Sequence, residues 1–359
     1  MDAEGVRDLL SSVEDPDLGD DIVSQNLVTD VAVDGDDVTV ELALDAPGSP
    51  VEDSIRASVV EALVAEGLSA TVTRPTGGDD DEPVGVESLG PDAEGSGGEP
   101  LPDVTNVIAV TSGKGGVGKS TISVNLAAGL ADAGANVALF DADMYGPNVP
   151  RMLGATDQPR ATEDERIIPP EAHGMKLMSI GLMVGEEDPV IWRGALVHNT
   201  ITQLIDDVEW GELDYLVVDF PPGTGDTQLT FLQSVPLTGS VIVTTPQEVA
   251  LDDARRGLQM FARHDTPVLG IVENMSSFVC PDCGSEHDIF GSGGGERLAD
   301  ENEMPFLGSI PLDPSIRHGG DDGAPIVLDE DSETGAAFRQ MVGETADMVG
   351  ILNRQGQGQ

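Results

Sequence analysis

Eight residues carry the strongest chemical signal in the chain. Gly113-Lys114-Gly115-Gly116-Val117-Gly118-Lys119-Ser120 fits the spacing G-x-x-x-x-G-K-[ST], whose chemistry is the capture of a nucleotide's phosphates. Glycines let the backbone curl so that successive N–H groups point at phosphate oxygens, and the helix that follows adds the positive end of its dipole. Lys119 is placed to reach the β- and γ-phosphates of ATP, the Ser120 hydroxyl to ligate Mg²⁺, and Thr121 to complete the contacts.

Carboxylates stand at the matching distance along the chain. Phe140-Asp141-Ala142-Asp143 ends one apolar run on two acids, and Tyr215-Leu216-Val217-Val218-Asp219 ends another on a third. Asp219 has the position of an acid that holds Mg²⁺ through water. Phe220-Pro221-Pro222-Gly223-Thr224-Gly225-Asp226 follows it, a stiff turn able to sense a γ-phosphate. A different chemistry belongs to Cys280-Pro281-Asp282-Cys283, the only two cysteines. The pair is open to three readings: a redox dithiol, an unmetallated thiol pair, or half of a metal site. Four-ligand zinc and iron–sulfur sites need two more thiolates than one chain offers, so the third reading implies two chains sharing one centre. His287 reads as a surface histidine rather than a ligand.

The elements that must position these groups follow from hydrophobic periodicity. Continuous apolar runs at Val107–Val110, Val137–Phe140, Leu177–Ile180, Leu216–Val218, Val241–Val243, Val268–Val272 and Phe306–Ile310 read as strands covered on both faces. Helical stretches lie between them, near 119–133, 195–207, 250–264 and 292–302, with a last helix over 334–352. The expected fold is an α/β, doubly wound, mostly parallel sheet of the P-loop NTPase type, with ligands at the carboxyl ends of its strands. Before it, residues 1–75 read as a small α+β domain: a helix at 6–13, strands at 27–33, 38–44 and 69–73, and a helix at 51–66. Residues 76–103, rich in Gly, Pro and acids, read as a flexible, self-repelling linker. The ATPase domain is expected over 104–353 and a loose tail over 354–359.

Composition narrows the partners. Sixty-six acidic residues against 17 basic ones give a net charge of −49, which opposes binding to nucleic acid or an anionic membrane. Three of the 17 bases are lysines, and two of these, Lys114 and Lys119, share the phosphate loop. Such a surface suits a high-salt cytoplasm, where self-repulsion is screened. No apolar run reaches the length of a membrane span, Met1–Leu10 lacks the character of a secretory signal, and two cysteines build no disulfide framework.

Lys114 makes the phosphate loop resemble the deviant form found in the nitrogenase iron protein and the MinD and ParA ATPases. That resemblance implies a homodimer in which Lys114 crosses to the partner's nucleotide, Asp143 positions the attacking water, and the turn after Asp219 acts as a second switch. The order of further motifs is more specific: Asp141-Ala142-Asp143-Met144-Tyr145-Gly146-Pro147-Asn148, Trp192-Arg193-Gly194, Asp219 to Asp226, Glu273-Asn274-Met275 and Cys280-x-x-Cys283. Over residues 104–353 the chain resembles the Mrp/ApbC family of iron–sulfur cluster carrier ATPases. The likeness implies a [4Fe–4S] cluster held by Cys280 and Cys283 of two chains, transfer to apo iron–sulfur proteins, and an adenine contact from Asn274 with Pro311 and Asp313 nearby. Residues 1–75 resemble the PaaD-like cluster-assembly domain through Asp15-Pro16-Asp17-Leu18-Gly19, Ile22-Val23 and the segment before Val51. Two departures stand out: Ser49-Pro50 where relatives carry Cys-Pro, and Ala195 where they carry proline. The alternatives are a MinD-type spatial organiser, which needs a membrane helix or a basic DNA patch, and a zinc-bridged regulatory dimer.

Overall fold

The structure, a computed structural model, describes residues 1–75, 101–144, 146–162, 164, 166–183, 194–223, 228–229, 232, 234–280 and 283–357. Most of the expected linker, together with Tyr145, Trp192, Arg193 and Thr224-Gly225-Asp226, lies outside the described residues.

The first unit forms around one short sheet. Helix α1 (Ala3–Leu10) opens on Asp2, whose side chain accepts from Gly5 N, and buries Val6 and Leu10 four residues apart. Strands β1 (Val28–Asp34) and β2 (Asp37–Leu42) pair antiparallel across a tight turn with Gly35 at φ 67°. Helix α2 (Pro50–Ala65) starts where Ser49 accepts from Glu52 N and Pro50 occupies the first turn, and it buries Ile55, Val59 and Leu63. Strand β3 (Ser69–Thr73) then adds parallel to β2.

The second unit is built on eight strands in the order β15-β12-β11-β4-β10-β5-β9-β8. In chain order these are β4 (Val104–Ser112), β5 (Val137–Asp141), β8 (Glu171–Ala172), β9 (Met175–Ser179), β10 (Leu213–Asp219), β11 (Gly239–Thr244), β12 (Val268–Asn274) and β15 (Phe306–Ile310). The missing numbers are two short hairpins, β6 (Arg160–Ala161) with β7 (Ile167–Ile168), and β13 (Phe278–Val279) with β14 (Glu286–His287). Every sheet pairing is parallel except that of β8, which turns back on β9. The helices are α3 (Lys119–Asp132), α4 (Val149–Met152), α5 (Gly194–Asp206), α6 (Glu248–Arg263), α7 (Gly294–Glu301), α8 (Pro314–Asp322) and α9 (Glu333–Gln357). Alternate strand residues feed two separate cores. Ile108, Val110, Leu139 and Val217 pack with α3 and α9, whereas Val107, Ala109, Phe140 and Leu216 pack with Ile201 and Leu204 of α5. The expected doubly wound sheet is therefore present, and β4, flanked by β10 and β11, is the strand where its order reverses. That crevice is the general ligand position of open α/β sheets.

The chain end corrects the sequence reading. A loose tail is expected over 354–359, yet α9 runs to Gln357 and the Arg354 side chain is fully buried. The cause is tertiary: three carboxylates of the first unit converge on that guanidinium. Its Nη2 lies 2.6 Å from Asp17 Oδ2 and its Nη1 3.4 Å from Glu52 Oε1. Its Nε is 2.8 Å from Asp15 Oδ2, an ion-pair distance outside hydrogen-bond geometry. The two units meet at further points. Ser49 Oγ donates to Asp347 Oδ1 at 2.5 Å, and Val51 N donates to the same oxygen at 3.1 Å. Tyr215 on β10 donates to Pro47 O, and Asn106 on β4 donates to Asp45 O. The first unit thus grips the starting ends of the two strands whose far ends carry the phosphate loop and Asp219.

Removing a partner from a buried ion cluster leaves uncompensated charge, which costs about 3–5 kcal/mol. Arg354→Met should lower the urea midpoint of the full chain in concentrated salt by a corresponding amount, and an unchanged midpoint would show that the cluster contributes no net stability.

Candidate functional site

The phosphate loop sits between the end of β4 and the start of α3, as its sequence requires. Two of its glycines are there for steric reasons. A Cβ at Gly113 would lie 2.2 Å from the backbone of Asp253 on α6. Gly118 adopts φ 86°, in the left-handed region that favours glycine, and a Cβ there would lie 2.1 Å from Asn274 Nδ2. Ser112 Oγ donates to Lys114 O at 3.0 Å and steadies the loop's first limb.

One buried carboxylate organises the loop's far end. Asp219 is fully buried. Lys119 Nζ lies 2.7 Å from its Oδ1, Ser120 Oγ donates to its Oδ2 at 2.7 Å, and Ser123 Oγ donates to Oδ1 at 2.5 Å. Ser123 escaped the sequence reading, although it stands four residues after Lys119 and so shares its helix face. Gly223 N bonds back to Ser112 O, so the turn after Asp219 is tied to the end of β4.

Asp141 and Asp143 divide into two tasks. Asp143 lines the cavity beside the loop. Asp141 is fully buried and accepts from Asp143 N at 3.2 Å, from Val149 N at 3.3 Å and from Ser179 Oγ at 3.1 Å. It therefore fixes the backbone that presents Asp143. Burial pushes its carboxyl from 3.8 up to about 8, with the charge of Asp219 adding to the shift and Lys119 opposing it.

A cavity of about 520 Å³ opens beside these groups. Lys114, Gly115, Gly116, Gly118, Lys119, Ser120 and Thr121 line one wall, and Asn274, Pro311 and Asp313 line another. The expected phosphate and adenine residues thus share one space. Arg151, Met152, Ile316 and Arg317 complete it from α4 and α8; both helices lack the apolar periodicity that would have revealed them in the sequence. Asn274 uses its amide within the chain: Nδ2 donates to Val117 O at 2.8 Å, and Oδ1 accepts from Met275 N at 2.9 Å.

The cysteines lie apart from this cavity, on the β13–β14 hairpin that follows β12. Cys280 is half-buried and Cys283 exposed, both as free thiols. Gly284 N bonds to Cys280 O and Cys280 N to Ser285 O, closing a tight turn around the pair. Cys283 Sγ is 3.3 Å from Ser285 Oγ. Hydrogen bonding from Ser285 and then Cys280 holds the Cys283 thiol below its usual range, which favours the thiolate that metals and electrophiles require. His287 is exposed on β14. No cluster of three or more His, Cys, Asp and Glu suited to a metal occurs among the described residues; those of the hairpin present two thiols.

Two family models match the chain. The family model for the NUBPL iron-transfer P-loop NTPase (ParA) matches residues 103–346. The chain belongs to that family of P-loop NTPases. A second model, for an iron–sulfur cluster assembly protein, matches residues 3–73. An iron–sulfur cluster carrier protein of Synechocystis is 44% identical over 342 residues, covering 94% of each chain. One of Deinococcus radiodurans is 44% identical over 338 residues, covering 94% of this chain and 92% of its own. Among solved structures, a nucleotide-binding protein of Archaeoglobus fulgidus in complex with ADP is 38% identical, with a TM-score of 0.56 over 62% of this chain and 88% of its own. The cell division ATPase MinD of Pyrococcus furiosus is 25% identical, with a TM-score of 0.50 over 67% of this chain and 98% of its own. Membership of the P-loop NTPase family rests on the phosphate-loop unit, and the unit before it matches the separate assembly-protein model.

The raised Asp141 carboxyl has a definite consequence for stability. A folded-state acid with a raised value keeps its proton while the unfolded chain loses one, so its contribution is full below about 4 and is lost as pH rises through about 8. Between pH 5 and 8 the ligand-free wild type should lose thermal stability with rising pH more steeply than Asp141→Asn. Equal slopes would mean that Asp141 is already ionised in the fold.

Proposed function

We propose that the chain is an ATP-hydrolysing carrier that binds an iron–sulfur cluster between two copies of itself and hands it to apo-proteins. The observation that carries this reading is the thiol count: the chain has two cysteines, both on one accessible hairpin, and the same chain carries the full G-x-x-x-x-G-K-[ST] spacing. A [4Fe–4S] cargo needs four thiolates, which a homodimer supplies with Cys280 and Cys283 from each chain.

In this reading the phosphates lie against the N–H groups of Gly113 to Thr121. Lys119 leaves Asp219 for the β- and γ-phosphates, and the free Nδ2 hydrogen of Asn274 is available to the adenine. Ser120 Oγ and the Asp219 carboxylate, 2.7 Å apart, are hard oxygen donors suited to Mg²⁺, which when bound neutralises phosphate charge. Asp143, held in place by Asp141, orients the attacking water, and Lys114 reaches the partner's nucleotide, where charge develops on the transferred group. ATP and ADP contact these groups unequally, and only that difference can bias the dimer towards releasing its cluster. The division of labour at 1–75, 76–103 and the ATPase unit after it belongs to the same proposal, with Ser49 serving the contact between units rather than a metal.

No described helix is long and apolar enough to cross a membrane. The net charge of −49 opposes an anionic lipid or nucleic-acid surface, which favours the carrier over the spatial-organiser reading; the proposed setting is the cytoplasm. The charge of −49 suits a concentrated-salt interior, where the Debye length falls to about 3 Å. Circular dichroism in dilute buffer should show loss of helix that concentrated salt restores; a spectrum indifferent to salt would remove that part of the reading.

Anaerobic reconstitution with iron and sulfide tests the cargo. The wild type should take up about two iron and two sulfide per chain, and Cys280→Ala or Cys283→Ala should lose nearly all of both. Full iron in either variant, or zinc in place of iron in anaerobically purified protein, would overturn the shared-cluster reading.

A further inference from the structure

The nucleotide cavity and the cysteine hairpin are joined by two consecutive side chains at the end of β12. Asn274, 4% exposed, holds the phosphate loop by donating Nδ2 to Val117 O at 2.8 Å. The same amide's Oδ1 accepts from Met275 N at 2.9 Å, at the residue where the chain leaves the strand for the hairpin. Glu273, 1% exposed, faces the other way. Its Oε1 accepts from Gly293 N at 3.1 Å and its Oε2 from Gly295 N at 2.6 Å, where the chain leaves the hairpin and α7 begins. Both limbs of the segment that carries Cys280 and Cys283 are thus rooted on neighbouring residues of one strand, and one of those residues grips the loop that binds phosphate.

Other contacts make the hairpin answerable to this joint. Met275 is held at φ 57°, a left-handed conformation that costs a non-glycine residue energy and persists only where its surroundings enforce it. Ser276 N and Ser276 Oγ both bond to Ile310 O, and Leu312 N bonds to Ser277 O at 2.6 Å. Leu312 also lines the nucleotide cavity. Between the phosphate loop and the hairpin base lies a second space of about 190 Å³, lined by Lys114, Gly116, Val117, Met275 and Phe290. It gives the loop room to shift against the hairpin without a clash.

We propose that Glu273 and Asn274 are positioning residues that transmit nucleotide occupancy of the phosphate loop to the cysteine hairpin, changing how accessible Cys280 and Cys283 are. A phosphate drawn onto the loop's N–H groups moves Val117 O, the Asn274 amide follows it, and Met275 carries the displacement into the hairpin. Glu273 keeps the far limb fixed, so the hairpin turns rather than trails. Coupling is reciprocal: whatever restrains the thiols also changes the loop's affinity for nucleotide. The inference rests on the nucleotide-binding part of the reading above and not on the cluster.

The test uses the full chain, reduced and metal-free, in concentrated salt at low protein concentration. Iodoacetamide alkylation of the thiols is timed without nucleotide and at saturating Mg-ADP, with occupancy read separately from a fluorescent ADP analogue. In the wild type, ADP should change the alkylation rate by about fivefold or more, the lower end of ordinary coupling between sites. In Asn274→Ala and in Glu273→Ala the rate should become indifferent to ADP at full occupancy. Glu273 touches no part of the nucleotide cavity, so its variant separates a lost joint from lost binding, and Glu273→Gln, which keeps one acceptor, should recover part of the response. A wild-type rate indifferent to bound ADP, or a full response in Glu273→Ala, would overturn the joint. Absence of ADP binding by the wild type would instead overturn the reading of the site beneath it.

Discussion

A buried carboxylate at the end of a parallel strand is the constraint on which the site depends. Asp219 lies at full burial with Lys119 Nζ at 2.7 Å and two serine hydroxyls on its oxygens. An isolated carboxylate is costly to bury and persists when paired and hydrogen-bonded. Meeting that requirement draws the start of α3 onto the end of β10 and so fixes where the phosphate loop can lie. It also holds at one point the cation and the oxygen donors that nucleotide chemistry needs. Lys119 rests on Asp219, so the charges of the site are paired within the chain itself.

The neighbouring acids extend the same logic. Asp141, on the strand beside β10, satisfies its oxygens with Asp143 N, Val149 N and Ser179 Oγ. A carboxyl spent on backbone and serine donors looks structural, yet it sets the position of the half-exposed Asp143 in the cavity. Further along the sheet, Glu273 and Asn274 repeat the device for the cysteine hairpin. Three strand ends therefore carry polar groups that fix loops, and other groups expected to do chemistry, Lys114 and Asp143 among them, ride on those loops. The first unit stands behind them at the other end of the strands, holding Asn106 and Tyr215 on one side and Arg354 on the other.

Much of this was legible in the residues. The runs at Ser69–Thr73 and Phe306–Ile310 gave strands with the observed bounds, because each is an apolar or β-branched run closed by turn residues. Strands whose ends become polar ran longer than expected: β4 extends to Ser112 and β12 to Asn274, since their buried polar residues find partners only in the fold. Helix α8 was invisible, because Pro314–Asp322 contains a glycine pair and buries no residue fully. The phosphate loop and Asp219 could be picked out from spacing, as their expected chemistry demands fixed residue types, whereas the spacing of the cysteine pair left three readings open. Arg354 could not: its glycine- and glutamine-rich surroundings read as a loose end, and its burial depends on three acids more than 300 residues earlier in the chain. Ser49 was visible as a departure from a cysteine, but its task, capping α2 while donating to Asp347, appears only when the two units meet.

The claim at the centre of this account is that two chains hold one cluster. Native mass spectrometry of the anaerobically reconstituted protein addresses it most directly. The account predicts a species of two chains carrying a single four-iron, four-sulfide cargo, which falls back to bare chains when the cluster is chelated. A single chain that retains a complete cluster by itself would contradict it.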